Sequence, residues 1–160
     1  MSKIDEIDKS ISDLLIEDGR MTCVEIARRL GNITERAVRY RIDRLLKKGI
    51  IEIRGNVNAK NLGYEVLADV SIEVEPGLVM DVAKKIAEFE SVSYVACATG
   101  ERDISVQIFA KDNAELYTFV ADVISRIPGV RRTHTSFVPV IIKDDYRWPI
   151  PSTSVKKTLP

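Results

Sequence analysis

Thirteen residues, TCVEIARRLGNIT at 22–34, constrain this chain more than any other stretch, because they must start a helix, stop it and prepare another. Thr22 and Glu25 have the spacing of a capping box, in which each side chain satisfies the other residue's unpaired backbone N–H. Met21 and Ile26 are placed for the accompanying hydrophobic staple. Gly31 supplies the left-handed residue that ends the short helix, and Thr34 is a suitable N-cap for the next. Two short helices joined this tightly form a helix-turn-helix. Upstream, Ile4, Ile7, Ile11, Leu14 and Leu15 recur at helical spacing behind Asp5, which is placed as an N-cap, so a third helix packs against the pair.

The helix opening at Thr34, TERAVRYRIDRLLKK, holds six of the chain's 24 basic side chains. At about 100° per residue, Val38, Ile42, Leu45 and Leu46 gather on one side and seal against the other two helices. Arg36, Tyr40 and Lys47 project nearly the opposite way, with Arg39 and Arg44 on the flanks. A major groove admits such a face, and arginine bonds guanine edges in bidentate fashion or grips phosphates. The candidate contacts with double-stranded DNA are therefore Thr34, Glu35, Arg36, Arg39, Tyr40, Arg44 and Lys47. A charged face touching only water is the alternative, and the preceding capped helix and tight turn argue against it. After the helix, GIIEIRGNVN with its Gly55-Asn56 turn has the pattern of a small β-wing. Charge agrees with this division of labour. Residues 20–60 hold 11 Lys+Arg against four Asp+Glu, whereas residues 61–140 hold seven against 12, although the whole chain is formally neutral. One half attracts a polyanion and the other repels it.

From Val66 the period changes from helical to alternating. Val66, Ala68, Val70, Ile72 and Val74 face one side of a strand, with Asp69, Ser71 and Glu73 on the other. A helical stripe (Val79, Val82, Ala83, Ile86, Phe89) follows Pro76-Gly77. Two strands, SVSYVACAT and DISVQIFA, flank Gly100-Glu101-Arg102. Asp112 and Glu115 have capping-box spacing ahead of a second stripe from Leu116 to Ile127, and VRRTHTSFVPVII reads as the last strand. The order β-α-β-β-α-β implies a ferredoxin-like α+β domain with helices on one sheet face. An apolar second face would need a cover, and a twofold dimer through the sheet supplies one. The limits expected are 1–54 for the helix-turn-helix domain, 55–64 for a linker, 65–143 for the ferredoxin-like domain and 144–160 for a C-terminal extension. In that extension Tyr146 and Trp148 suit docking on a neighbouring subunit or on the sheet, with disorder expected after about Pro151.

Composition excludes several classes. No run of about 18 apolar residues spans a bilayer, and no basic start leads into a secretory segment, which places the chain in the cytoplasm with no membrane partner. Cys23 and Cys97 lie far apart without metal-ligand spacing, so no metal or disulfide framework is indicated, and both read as small buried residues. No cofactor motif appears. The only histidine, His134, sits in an alternating strand and reads as a surface or interface residue, and no nucleophile-base pair, P-loop or metal-ligand spacing appears.

Ile4-Asp5 with Asp8, Gly19-Arg20, EIARRLG, RIDRLLKKGII, Leu62-Gly63, TGERDISV and PGVRRTHT together resemble the Lrp/AsnC, or feast/famine, family of prokaryotic transcriptional regulators over roughly residues 4–143. The resemblance implies an N-terminal helix-turn-helix and a ferredoxin-like domain that dimerises, often onward to tetramers or octamers, and senses an amino acid or related metabolite. It also implies an effector site at Gly100, Glu101, Arg102 and Asp103, with Thr133 and Thr135 as further pocket hydroxyls. Turn amides suit a carboxylate and Asp103 an ammonium. The same segment also fits a plain hairpin in which Gly100 needs positive φ and Asp103 bonds backbone. Arg102 stands where many members carry an aromatic, implying an acidic or larger effector, or none. Two other functions fit the same outline: an enzyme of the tetrapyrrole-decarboxylase kind, and an architectural DNA-coating protein that needs no effector.

Overall fold

The computed structural model describes residues 4–143 and 148–155; Tyr146 lies outside the described residues. The chain divides into two compact units, Met1–Asn56 with Lys143–Pro160, and Val57–Ile142.

In the first unit, α1 (Glu6–Glu17), α2 (Cys23–Leu30) and α3 (Glu35–Lys47) enclose a core of Ile11, Ile26, Val38 and Ile42, with Ile7, Leu14, Leu15 and Met21 around it. Each helix begins as its side chains dictate. Asp5 Oδ1 accepts from the Asp8 N–H at 2.8 Å and Asp8 Oδ2 from the Asp5 N–H at 3.3 Å, a reciprocal box at a place where only a single cap was expected. The Thr22/Glu25 box closes only halfway. Thr22 Oγ1 accepts from the Glu25 N–H at 3.2 Å, but the Glu25 carboxylate turns to Arg28 and Arg29 instead. Gly31, at φ 73°, ends α2, and Thr34 Oγ1 accepts from the Ala37 N–H at 3.3 Å to start α3.

The wing departs from expectation. Residues 51–57 form no ladder among the described residues. A hairpin turning at Gly55-Asn56 would need a return arm, and the 3-10 turn Lys60–Leu62 follows too soon to leave one. The C-terminal segment also departs. Ser152–Ser154 forms a 3-10 turn, and Val155 makes a parallel bridge with Ile4, each only 8% exposed. The segment thus docks on the helical unit rather than on the sheet, and order persists beyond Pro151. Trp148 and Ile150 join α1 and residues 50–56 in lining a hollow of about 620 Å³.

In the second unit, β1 (Val66–Val74), β2 (Val92–Cys97), β3 (Ile104–Ala110) and β4 (Val130–Phe137) form an antiparallel sheet in the order β2-β3-β1-β4, as a ferredoxin-like topology requires. Helices α4 (Val79–Ile86) and α5 (Asn113–Thr118) bury Val82, Ala83, Ile86 and Leu116 against Ala68, Val70, Ile72, Val106 and Ile108. The stripe from Leu116 to Ile127 is continuous, but its backbone passes from α-helix through a π turn at Phe119–Val123 to a 3-10 turn at Ile124–Arg126. Asp112 Oδ1 caps the Glu115 N–H at 2.8 Å, while Glu115 Oε2 reaches the Lys111 N–H rather than that of Asp112. Strand β4 stops at Phe137, not Ile142; Val138 adds one bond to the Leu67 carbonyl and Pro139 has no N–H to continue.

The sheet's second face is more polar than the dimer argument assumed. Register and alternation put Asp69, Ser71, Glu73, Ser105, Gln107, Arg132, His134 and Ser136 there, with Leu67, Tyr94 and Phe109 as large apolar members. Gln107 Nε2 donates to Asp69 Oδ1 at 3.2 Å across it. Apolar burial alone therefore does not demand that the face be covered. Cys97 is exposed, with Sγ 3.7 Å from Met80 Sδ, and Cys23 is half-buried, so neither is the enclosed core cysteine expected.

Candidate nucleic-acid interface and effector turn

The sequence places a basic helix on top of an apolar stripe, and the structure sorts its charges by what each one meets. Val38, Ile42 and Leu45 are buried, whereas Arg36, Arg39, Tyr40 and Lys47 are exposed, Tyr40 by 67%. Thr34 is spent on the cap, its Oγ1 accepting from Ala37. Glu35 and Arg39 pair at 2.7 Å, one turn apart, with side chains 47% and 64% exposed. Such an exposed pair is worth little and is readily exchanged for a phosphate. The Glu35 hydrogen bond holds Arg39 above the usual arginine range, so its charge is permanent.

Arg44 does not take the flanking position expected of it. Its Nη2 donates to Asp8 Oδ2 on α1, and Arg44 is half-buried. Beside it, Arg41 Nη1 donates to Asp5 Oδ1 and Oδ2 at 2.8 and 2.7 Å and to Asp8 Oδ1 at 2.7 Å. Asp8 has no exposed surface. Burial by itself would raise the Asp5 pKa, but the Arg41 hydrogen bond, the Asp8 N–H and the two guanidinium charges outweigh it and hold the carboxyl below its ordinary value. Burial likewise opposes the charge on Arg41, and its bonds to Asp5 and Asp8 more than restore it. Sequence reasoning missed Asp5, Asp8 and Arg41 as an ensemble. The available signal was matched spacing: acids three apart on α1, arginines three apart on α3.

On α2, Arg28 and Arg29 converge on Glu25, and Arg29 also donates to Glu17 at 2.9 Å. The Arg28 and Arg29 hydrogen bonds pull Glu25 down to about 2.

In the second unit, the segment between β2 and β3 turns at Gly100, whose φ of 123° favours glycine. The Ala98 N–H donates to the Asp103 carbonyl at 2.8 Å. Glu101 and Arg102 are exposed, and Arg102 Nη1 donates to Ser71 Oγ at 2.9 Å. Asp103 is committed to backbone: its Oδ2 accepts from the Val74 N–H at 2.8 Å, at the β1 bulge. Thr133 and Thr135 do not join this group. They lie opposite Ile72 and Val70, on the helix side of the sheet, and Thr133 Oγ1 is 3.4 Å from Ser125 Oγ. Strand β1 separates them from the start of β3, a gap of roughly 10 Å at two strand spacings. Within one subunit the six expected effector residues form no single pocket.

The arrangement is that of known proteins. The family model described as Lrp/AsnC ligand binding domain matches residues 67–148, just over half the chain, and the one described as winged helix-turn-helix DNA-binding matches residues 4–52. The chain belongs to the Lrp/AsnC family. It is a DNA-binding transcriptional regulator of that type. Among Lrp/AsnC relatives, it is 39% identical over 140 residues to the HTH-type transcriptional regulator LrpA of Pyrococcus abyssi, covering 87% of this chain and 96% of that one. It is 36% identical over 148 residues to FL11 of the same organism, covering 92% and 97%. A methionine complex of a transcriptional regulator from Neisseria meningitidis superimposes with a TM-score of 0.85 at 25% identity, covering 92% of this chain and 97% of that one. AsnC of E. coli shares the fold, with a TM-score of 0.82 at 22% identity, covering 91% and 99%. No helix among the described residues is long and apolar enough to cross a membrane.

Proposed function

We propose that this Lrp/AsnC regulator binds specific duplex sites through the exposed face of α3, in the cytoplasm, and that an amino acid or related small metabolite modulates it. The observation that carries the reading is the division of α3 into a buried apolar back and a front bearing Arg36, Arg39, Tyr40 and Lys47. Thr34 and Glu35 lie at the helix start, where the chain approaches the backbone. Arg44 is reassigned from contact to scaffold. A bidentate contact to a base would be worth about 1–3 kcal/mol, and a phosphate contact would show in the salt slope. Fluorescence anisotropy on a duplex selected from random sequence tests the assignment: Arg36→Ala and Arg39→Ala lower affinity while the fold is kept. Wild-type affinity in both variants rejects it.

The effector site we assign is the Gly100–Asp103 turn, with Arg102 as the cation for a carboxylate and Asp103 shaping the turn through Val74. The methionine complex of the Neisseria relative supports an amino acid as ligand class. Because the turn alone offers an open surface, a second copy would have to complete the site, which favours a dimer or a larger homo-oligomer. An amino-acid panel, scored by its effect on DNA affinity, tests this. A response abolished by Arg102→Ala is expected; no response to any amino acid in the wild type overturns it. We assign no enzymatic role, since the matching family models and relatives are those of DNA-binding transcriptional regulators.

A further inference from the structure

The arginines of α3 fall into two classes. Arg39 pairs with Glu35 on its own helix, both side chains largely in water. Arg41 and Arg44 reach across to α1, where Asp8 is fully enclosed and takes Arg41 on Oδ1 and Arg44 on Oδ2. By helical geometry Arg44 stands only about 40° around the axis from Tyr40, at the border of the exposed face. Its backbone position is therefore suitable for a phosphate, and its side chain is turned away from that position. Asp5 adds a second carboxylate, bonded through both oxygens to Arg41. Two carboxylates and two guanidiniums leave the cluster with no net charge.

We propose that Asp8, supported by Asp5, is a positioning residue of the DNA interface that sets the sequence-independent strength of binding: it withholds Arg44 and Arg41 from the phosphates and ties α3 to the first turn of α1. A guanidinium released beside a duplex would bond phosphate whatever the sequence, so it would strengthen binding to every site alike. Specificity is the ratio of site to non-site affinity. Holding two cations back lowers both affinities by the same factor, so it sets the sequence-independent strength of binding and leaves discrimination to the side chains that face bases. A buried carboxylate is suited to the task because each arginine that leaves strips one of its oxygens of a partner away from water, and the loss of both would strand its charge.

The inference rests on α3 being the helix that meets DNA, and the test separates the two. Full-length protein is titrated by anisotropy onto a selected duplex and a scrambled one of equal length, from 50 to 200 mM salt. Asp8→Asn frees Arg44, so the salt slope on the scrambled duplex steepens by about 0.9, equivalent to a roughly threefold larger loss of affinity over that range. The slope on the selected duplex steepens by the same amount, and the ratio of selected to scrambled affinity keeps its wild-type value, because the released contact is common to both. A residue with a merely structural role would lower the folded fraction, reducing binding to both duplexes without altering the slope. Arg44→Ala decides the matter even if Asp8→Asn fails to fold: an arginine already withheld leaves the wild-type slope unchanged when removed. A slope flattened by about 0.9 in Arg44→Ala overturns the proposal, as does an unchanged slope in a folded Asp8→Asn. Arg36→Ala and Arg39→Ala are the references. If both leave the slope unchanged, the assignment of α3 fails instead.

Discussion

Replacing Gly129 with alanine isolates one packing contact in the sensing unit, because Gly77 provides a matched reference. Both have positive φ, 95° at Gly129 and 88° at Gly77. A Cβ at Gly77 meets nothing within 4 Å, whereas at Gly129 it would lie 2.8 Å from Leu78 Cδ1, 3.2 Å from Leu78 Cβ and 3.3 Å from Val82 Cγ2. The positive φ costs an alanine about 1–2 kcal/mol at either site, partly offset by about 0.4–1 kcal/mol from the stiffer unfolded chain. Gly77→Ala should therefore destabilise by about 1 kcal/mol. Overpacking adds about 1–3 kcal/mol at Gly129 alone. A Leu78 rotamer change would move Cδ1 but not Cβ, and Val82 is held in the core, so the contact cannot be fully relieved. Gly129→Ala should lose about 2–4 kcal/mol. Because two units need not unfold together, amide exchange of core strands β1 and β3 is a better measure than a single melting temperature. Equal losses in the two variants would refute the steric argument, since backbone strain alone predicts that equality.

Ile26 is fully buried at the centre of the helical core, so Ile26→Ala should cost the DNA-binding unit about 2–5 kcal/mol, measured by urea unfolding followed at α1–α3 amides. Acid should weaken the same unit in a defined direction. The folded Asp5 pKa is depressed below 3.8, so its contribution is complete above that value and is lost as pH falls through the lower, folded one. Asp5→Asn, which keeps an N-cap, should reduce the acid sensitivity seen in stability below about pH 4. Glu25, ordinarily at 4.5, should titrate by carboxyl NMR near about 2, and Arg28→Ala should move that midpoint upward. Truncation after Lys143 removes Val155 from Ile4 and should destabilise the helical unit by about 1.5–3 kcal/mol, the worth of one buried valine, with exchange speeding in α1 rather than in the sheet.

Much of the architecture was legible because it depends on local rules. Alternation in VLADVSIEV assigns each residue to a sheet face, and Thr22, Gly31 and Thr34 mark helix ends through hydrogen bonds that span only three or four residues. Those interactions are decided within one turn of chain, so periodicity and capping residues report them. The exposed front of α3 followed from the same angular arithmetic. Expectations failed where a side chain chose between partners at different sequence distances. Glu25 preferred two guanidiniums to the Thr22 backbone, and Asp103, for which a bond to the backbone of its own turn was one of two readings, bonds the backbone of Val74, 29 residues earlier. Thr133 and Thr135 were placed away from the turn by strand order, and Val155 found Ile4 at the opposite end of the chain. Arg44 is the clearest case. From the sequence alone it is one more cation on a basic helix, and the angle that puts it near Tyr40 says only that it borders the exposed face. Which way it turns depends on a carboxylate 36 residues away, because a buried Asp8 must be compensated and only tertiary packing brings it within reach. The sequence by itself determined which residues form α3 and that its front is cationic; the tertiary structure decided which of those charges stay exposed and which are tied to α1.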